Sequence, residues 1–271
     1  MLSVRLWVNL LLLVVGAALA YIIWYQPQQK AATQRLFHTA GYQANDIYIQ
    51  RTGKKDIRLR KEHDKWRLTE PAIAAVNQDR VKHLLTILQE PIIATYDPAG
   101  KDLSAFGLNP GKIKLTINAE EATFGSTNPV TLNRYILKNN KIYTIREIVY
   151  GVLGTSITAI LAHRLLPEDY KVVKVDAPEL FAKIPFYLWN QIEASGLADM
   201  TGKETIIAKI QLSIQPIASE SNDLVLESQR SQQIELGILA LKPQLVLGRL
   251  DLNVKYTFNR EVMKTLGGLL P

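Results

Sequence analysis

The chain has 271 residues, of which 47% are hydrophobic and 21% charged, a composition that argues against wholesale disorder. It contains no cysteine, which excludes disulfides, cysteine-ligated zinc, iron–sulfur clusters and thiol catalysis. The net charge of +7 favours partners with anionic surfaces, such as lipid headgroups, acidic proteins or nucleic acid.

The first element in chain order is an uncharged apolar run at residues 6–25. As a helix it would be about 30 Å long, the thickness of a bilayer's hydrocarbon core, and aromatic residues flank both ends. The alternative is a cleaved signal peptide, because residues 18–20 resemble a cleavage site, but the apolar run continues beyond them. We therefore predict a single-pass anchor over residues 1–26. The residues assigned to it are Leu6, Trp7, Gly16, Ala20, Tyr21, Trp24 and Tyr25.

The orientation of the anchor is predicted from the lengths of the segments on either side. The N-terminal tail is very short, and a long following domain is translocated largely regardless of its charge. We therefore expect the N-terminus inside and the domain outside, which in a Gram-negative bacterium means a cytoplasmic N-terminus, an anchor in the bacterial inner membrane and a periplasmic soluble domain.

The soluble part begins with a polar, Gln- and Ala-rich segment at 27–45 that is predicted to be a stalk. Alternating apolar positions then predict a hairpin over 47–59 and a strand that ends at Pro71. Asn77 is the predicted N-cap of a helix that reaches residue 88. Further short strands follow, including a hairpin over 135–145 that turns at two asparagines. Two helical stretches are predicted at 146–153 and 156–165.

The C-terminal part shows the same mixture of short strands and apolar helical segments. Strands are predicted at 171–175 and within 206–258, a helical region at 178–192, a loop at 218–233 and a last helix at 260–266. The predicted fold class is α+β, mainly antiparallel sheet with packed helices. A first lobe at 46–166 and a second at 167–271 are expected.

A degenerate internal repeat would make the two lobes alike. Residues 112–117 resemble 209–214, and residues 143–148 resemble 256–262. In that scheme Phe124-Gly125 corresponds to Leu247-Gly248. The order is kept but the spacings differ, and any two amphipathic strands look alike, so duplication and chance similarity both remain open.

No motif for catalysis, metal binding or cofactor binding stands out. The four histidines, His38, His63, His83 and His163, have no metal-ligand spacing. Nucleophile-elbow, phosphate-loop and dinucleotide motifs are absent from the sequence. We therefore expect no enzymatic activity and no cofactor.

The densest charge feature is a basic stretch at 51–67. One interpretation is a solvated strand face guarded by lysines, and the other is a patch that binds anionic lipid or an acidic partner. No aromatic stacking platform accompanies it, so nucleic-acid binding is not expected. The candidate patch consists of Arg51, Lys54, Lys55, Arg58, Arg60 and Lys61.

Several structural motifs point to one family. They are the strand end KWRLTEP at 65–71 with the helix that follows it, FGLNP at 106–110, Phe124-Gly125 and the 134–145 hairpin. Over about residues 45–166 this pattern resembles the bacterial family DUF4340. Its members are typically single-pass anchored proteins, many encoded beside an ABC transporter of the gliding-motility-associated type. The resemblance implies an extracytoplasmic accessory subunit of such a transporter and supplies no catalytic residues.

The expected function is therefore that of a membrane-anchored accessory subunit that binds an integral membrane complex. One alternative is a scaffold subunit of another membrane complex, such as a respiratory or oxygenase assembly. The other is a cell-envelope enzyme, which would need a concave site with convergent polar groups. The sequence leaves the oligomeric state open.

Overall fold

The computed structural model describes residues 4–25, 34–217 and 231–262. The helix expected near the N-terminus is present as α1, Val4–Tyr25. In these three ranges no helix is identified as both long and apolar enough to cross a membrane. The predicted loop at 218–233 and the last helix at 260–266 lie mostly outside the described residues.

The first sheet has nine antiparallel strands in the order β4-β3-β2-β1-β6-β7-β8-β9-β5. Both predicted hairpins are confirmed, because Ile47 pairs with Leu59 and Leu137 pairs with Ile142. The strands are β1 Asp46–Arg51, β2 Ile57–Glu62, β3 Lys65–Glu70, β4 Ala74–Ala75, β5 Ala94–Tyr96, β6 Ile113–Ile117, β7 Glu120–Thr127, β8 Asn133–Lys138 and β9 Lys141–Arg146.

The second sheet has six antiparallel strands in the order β10-β12-β13-β14-β15-β11. Its buried side chains and those of the first sheet form one hydrophobic cluster, so the two sheets share a core. The strands are β10 Tyr170–Asp176, β11 Gly196–Asp199, β12 Ala208–Pro216, β13 Gln232–Ala240, β14 Leu245–Arg249 and β15 Val254–Phe258. The fold is therefore α+β and rich in antiparallel sheet.

The helices of the folded region are short. The side chain of Asn77 accepts hydrogen bonds from two backbone N–H groups of the first turn of α2, which confirms the predicted N-cap. A 3-10 turn, Leu85–Gln89, extends that helix to the predicted end. The helices are α2 Gln78–Leu84, α3 Ile148–Gly154, α4 Glu179–Ala182 and α5 Phe186–Gln191.

The prediction of a helix over 156–165 is wrong. Only a 3-10 turn, Ile157–Ala159, forms there. The following residues extend the edge of the first sheet instead: Leu161 forms a bridge with Val76, and the Ala162 N–H donates to the Ala75 carbonyl at 2.9 Å. These tertiary hydrogen bonds override the local helical preference.

Part of the segment predicted as a stalk is packed onto the first sheet. Leu36 and Phe37 are each only 2% exposed, and Ala44 is fully buried. Glu120, on β7, accepts hydrogen bonds from the backbone N–H groups of His38 and Thr39. Residues 34–45 therefore belong to the folded region, although their polar composition predicted a stalk.

The two sheets repeat one topology. In the first, β1 lies beside a four-strand meander, β6 to β9, and β5 pairs with the last strand of that meander. In the second, β10 lies in the same way beside β12 to β15, and β11 closes the far edge. The first sheet differs by the additional strands β2, β3 and β4. The two sheets therefore share one order over six strands, and a duplication of the sequence stays a prediction.

Individual hydrogen bonds also recur between the two sheets. The Ile92 N–H donates to the Gln34 carbonyl at 2.8 Å, and the Ala194 N–H donates to the His163 carbonyl at 2.9 Å. The next residue in each case donates to Thr144 or Thr257, at 2.8 and 2.7 Å. Residues 34–37 and 163–166 are therefore equivalent segments of the two copies.

One correspondence in the predicted repeat needs correction. Ile113 pairs with Phe124, and its equivalent Ile210 pairs with Leu236. The counterpart of Phe124-Gly125 is therefore Leu236-Gly237 on β13, and the predicted counterpart Leu247-Gly248 lies one strand further on. Similar Leu-Gly pairs on neighbouring strands caused the misassignment.

Candidate functional site

A cleft of about 390 Å³ lies between β3 and the segment that leads into the second sheet. This volume is in the range of small-molecule sites. Nine of its fourteen lining residues are polar or charged, and both signs of charge are present. The lining residues are Lys65, Trp66, Arg67, Ala75, Val76, Asn77, Gln78, Ala162, His163, Arg164, Pro167, Glu168, Asp169 and Glu193.

A chain of ion pairs runs along the rim of the cleft. Lys65 contacts Glu168, which also accepts from Arg164 at 2.8 Å, and Arg164 reaches Glu193 at 2.6 Å. The hydrogen bond from Lys65 lowers the pKa of Glu168, and the hydrogen bond to Glu193 raises the pKa of Arg164. The rim therefore presents charges that already stabilise one another.

Arg67 forms the deeper part of the cleft, with only 7% of its side chain exposed. It donates to Asp169 at 2.8 Å, contacts Glu62, and lies 5.3 Å from the ring centre of Tyr170. Burial raises the pKa of the Tyr170 hydroxyl. This arginine joins the first sheet to the first strand of the second sheet.

The floor is held by Gln78 at the start of α2. Its side chain accepts from the Trp66 N–H at 2.9 Å and donates to the Trp66 carbonyl at 2.8 Å. Trp66 is 6% exposed, so its ring packs inward. The KWRLTEP strand end and the following helix are thus fixed to each other by one glutamine.

His163 is the cleft residue whose environment the sequence did not indicate. Its Nδ1 lies 2.8 Å from the Ala194 carbonyl oxygen, which can only accept a hydrogen bond. Nδ1 therefore donates this hydrogen bond, which fixes the orientation of the ring. Across the described ranges, no group of three His, Asp or Glu side chains is placed to hold a metal ion.

Three of the six residues of the candidate basic patch donate hydrogen bonds to backbone carbonyls elsewhere in the chain. Arg51 is 9% exposed and donates to the Thr155 carbonyl at 2.8 Å. Lys54 donates to the Gly154 carbonyl at 3.3 Å, and Lys55 to the Asp251 carbonyl at 2.9 Å. These three side chains tie the β1–β2 turn to α3 and to the second sheet.

The other half of the patch is paired with carboxylates. Arg58 binds Asp46 at 2.7 Å and Glu70 at 3.4 Å, and the hydrogen bond that it donates to Asp46 raises its pKa. The remaining two, Arg60 and Lys61, lie 3.9 Å from Asp46 and 3.0 Å from Asp64 respectively. The patch is therefore less cationic than its sequence indicates, and its binding role stays a prediction.

All seven residues that the sequence assigns to the anchor lie on α1.

The FGLNP motif packs against β7 of the first sheet. Phe106 ends a 3-10 turn, and Gly107 caps it with a φ of +64° that favours glycine. The turn lies directly on Gly125, where an added Cβ would stand 2.4 Å from the Phe106 carbonyl oxygen and 2.8 Å from Leu108 Cδ2. This motif and Phe124-Gly125 are therefore two sides of one close backbone contact.

We expect Gly125→Ala to lower the free energy of unfolding by about 2–4 kcal/mol, because its Cβ meets backbone that a side-chain rotation cannot move. The matched control is Gly237→Ala at the equivalent position of the second sheet. There the nearest atoms are the side-chain ends of Leu250 at 3.2 Å and Ile206 at 3.3 Å. Urea unfolding followed by tryptophan fluorescence measures both variants, and equal losses would contradict the explanation.

The comparisons with known proteins agree with the motif analysis. A family model, "Domain of unknown function (DUF4340)", matches residues 66–180, which confirms the resemblance. The match begins in β3 and ends in α4, so both its ends lie later than the predicted 45 and 166. No curated protein and no solved structure gives a match. Residues 66–180 of the chain are therefore similar to the DUF4340 family, and this stretch includes most of the cleft.

Proposed function

We propose that this protein is a non-enzymatic, membrane-anchored accessory subunit whose two-lobed extracytoplasmic domain binds an integral membrane complex. The proposed complex is an ABC-type transporter of the gliding-motility-associated class, as the DUF4340 resemblance implies. The anchor part of the proposal is supported by the uncharged run at 6–25, in the sequence of α1.

The observation that carries the binding role is the pairing of charges in the cleft. Each lysine or arginine that lines it contacts a carboxylate, and the ring of His163 is held by a carbonyl. Catalysis by acid–base or nucleophilic groups requires side chains whose pKa and contacts are set for the reaction. The rim instead carries half-exposed charges that are paired with one another. Such charges are better suited to form ion pairs with charged groups of another protein.

The proposed partner class is tested by gentle detergent extraction of the full chain, affinity purification and mass spectrometry. We expect an ATPase and a transmembrane permease to co-purify. A redox complex instead would support the alternative of a respiratory or oxygenase scaffold, and a lone monomer would contradict both.

The periplasmic placement is tested by a reporter fused at the C-terminus. We expect an active periplasmic reporter, and an active cytoplasmic reporter would overturn the placement.

A role for the cleft is tested by charge reversal on its rim. We expect Lys65→Glu to reduce the co-purified complex about fivefold or more, because it places an uncompensated negative charge beside Glu168. The matched control is Lys183→Glu, which breaks a similar exposed pair with Glu179 on α4. If both variants lose the complex equally, or if neither loses it, the cleft is not part of the interface.

A further inference from the structure

We propose that the edge of the first sheet formed by β5 rests on the surface of the bilayer and contacts its anionic headgroups. The contact residues are Arg35, Ile93, Tyr96 and Lys141. This inference rests on the proposed membrane anchor and adds a second, peripheral contact between the domain and lipid.

The length of the tether brings this edge close to the membrane. The Gln34 carbonyl accepts from the Ile92 N–H at 2.8 Å, and Arg35 forms a bridge with Pro91, so the incoming chain is fixed immediately beside β5. Residues 26–33 separate this point from the end of α1. Even a fully extended chain between Tyr25 and Gln34 spans no more than about 30 Å.

The exposed side chains of the edge fit a membrane interface. Ile93 is 49% exposed and Tyr96 is 40% exposed. Arg35 and Lys141 are exposed, and Lys141 directly precedes the strand partner of Tyr96. Tyrosine is enriched at membrane interfaces, and exposed cations near the surface are attracted to anionic headgroups.

The second sheet provides an internal comparison, because its equivalent edge is not joined to an anchor. The positions of Ile93 and Tyr96 are occupied there by Ser195 and Ala198. The counterpart of Arg35 is Arg164, which pairs with Glu193 and Glu168, whereas Arg35 faces a proline. The exposed isoleucine and tyrosine of the tethered edge are thus replaced by smaller side chains in its copy, where the equivalent arginine is paired with carboxylates.

The test uses the full-length protein in phosphatidylglycerol–phosphatidylcholine vesicles. Because the chain has no cysteine, single nitroxide labels can be placed by Ile93→Cys and, as the matched control, Ser195→Cys. Collisions with a water-soluble nickel chelate report the exposure of each label. We expect the label at 93 to collide about threefold less often than the label at 195, and the difference to shrink in pure phosphatidylcholine.

Three outcomes would overturn the proposal. Equal collision rates at 93 and 195 would show that the edge is in water, and a difference that is unchanged in pure phosphatidylcholine would rule out anionic headgroups. Protection of the label at 93 only after a partner complex is added would assign the edge to protein contact. A label at Leu12→Cys tests the anchor separately from the edge contact. If the chelate reaches the label at residue 12, the anchor itself is not in the bilayer, and the proposed function is overturned.

Discussion

Replacing Arg249 with methionine is expected to lower the free energy of unfolding by about 3–5 kcal/mol, the largest effect that we expect from a single side chain. Arg249 is completely buried and donates to both carboxylate oxygens of Asp251, at 2.9 and 2.7 Å. It also donates to the carbonyls of Leu165 at 2.9 Å and Ile73 at 2.8 Å. Methionine would leave a carboxylate and two carbonyl oxygens without these donors.

The size of the effect follows from what Arg249 connects. Ile73 lies between β3 and β4 of the first sheet, and Leu165 precedes the second sheet, so one guanidinium bridges both lobes. The control is Lys209→Met, because Lys209 makes an exposed cross-strand pair with Glu235 and its loss is expected to cost less than about 1 kcal/mol. Urea unfolding of the full chain in detergent measures both. A loss below 1 kcal/mol at Arg249 would contradict the bridging role.

The second large effect is expected for Glu120→Gln, at about 2–4 kcal/mol. Glu120 holds the incoming chain through the N–H of Thr39 at 2.7 Å and the hydroxyl of the same residue at 2.7 Å. It also contacts Lys138, whose side chain is 4% exposed and lies 4.5 Å from the centre of the Phe37 ring. Glutamine would leave this buried ammonium without a counter-charge.

The same site predicts a dependence on pH. Burial opposes ionisation of Glu120, but hydrogen bonds from Lys138, Thr39 and the His38 backbone outweigh it and hold the pKa of the carboxyl below its usual range. The stabilisation is therefore complete above the unfolded pKa of about 4.3 and is lost as the pH falls below that value.

We expect the wild-type protein to lose stability between about pH 4 and pH 2 more steeply than Glu120→Gln does, because glutamine has no proton to gain. Glu121→Gln is the matched control, since the neighbouring Glu121 is half-exposed and pairs only across the strand with Lys114. Unfolding midpoints across this pH range test the prediction. Parallel curves for the wild type and Glu120→Gln would contradict it.

Local patterns in the sequence were enough to predict most of the individual elements. The alternation around Gly53, the cap at Asn77 and the turn at Asn139-Asn140 all depend on near neighbours, and each is confirmed. The family motifs were recognisable for the same reason, since the Phe106–Gly125 contact joins two short and distinctive pieces of sequence.

What could not be predicted depends on long-range contacts. The edge strand β11 was missed because Gly196 begins it and only pairing with β15 defines it. The buried roles of Arg51 and Arg249 depend on carbonyls more than 80 residues away. Similarly, the cleft forms because Lys65 and Glu168, separated by 103 residues, meet across the junction.

The ends of the family match have a consequence for how this domain is divided for expression. A polypeptide limited to residues 66–180 would lack β1, which separates β2 from β6 in the first sheet, and the four-strand meander against which β10 pairs. It would begin within one sheet and end just after the first strand of the other. The matched segment is thus the central portion of a pair of sheets that share one core, and a fragment that keeps both sheets complete requires cuts before residue 34 and after residue 258.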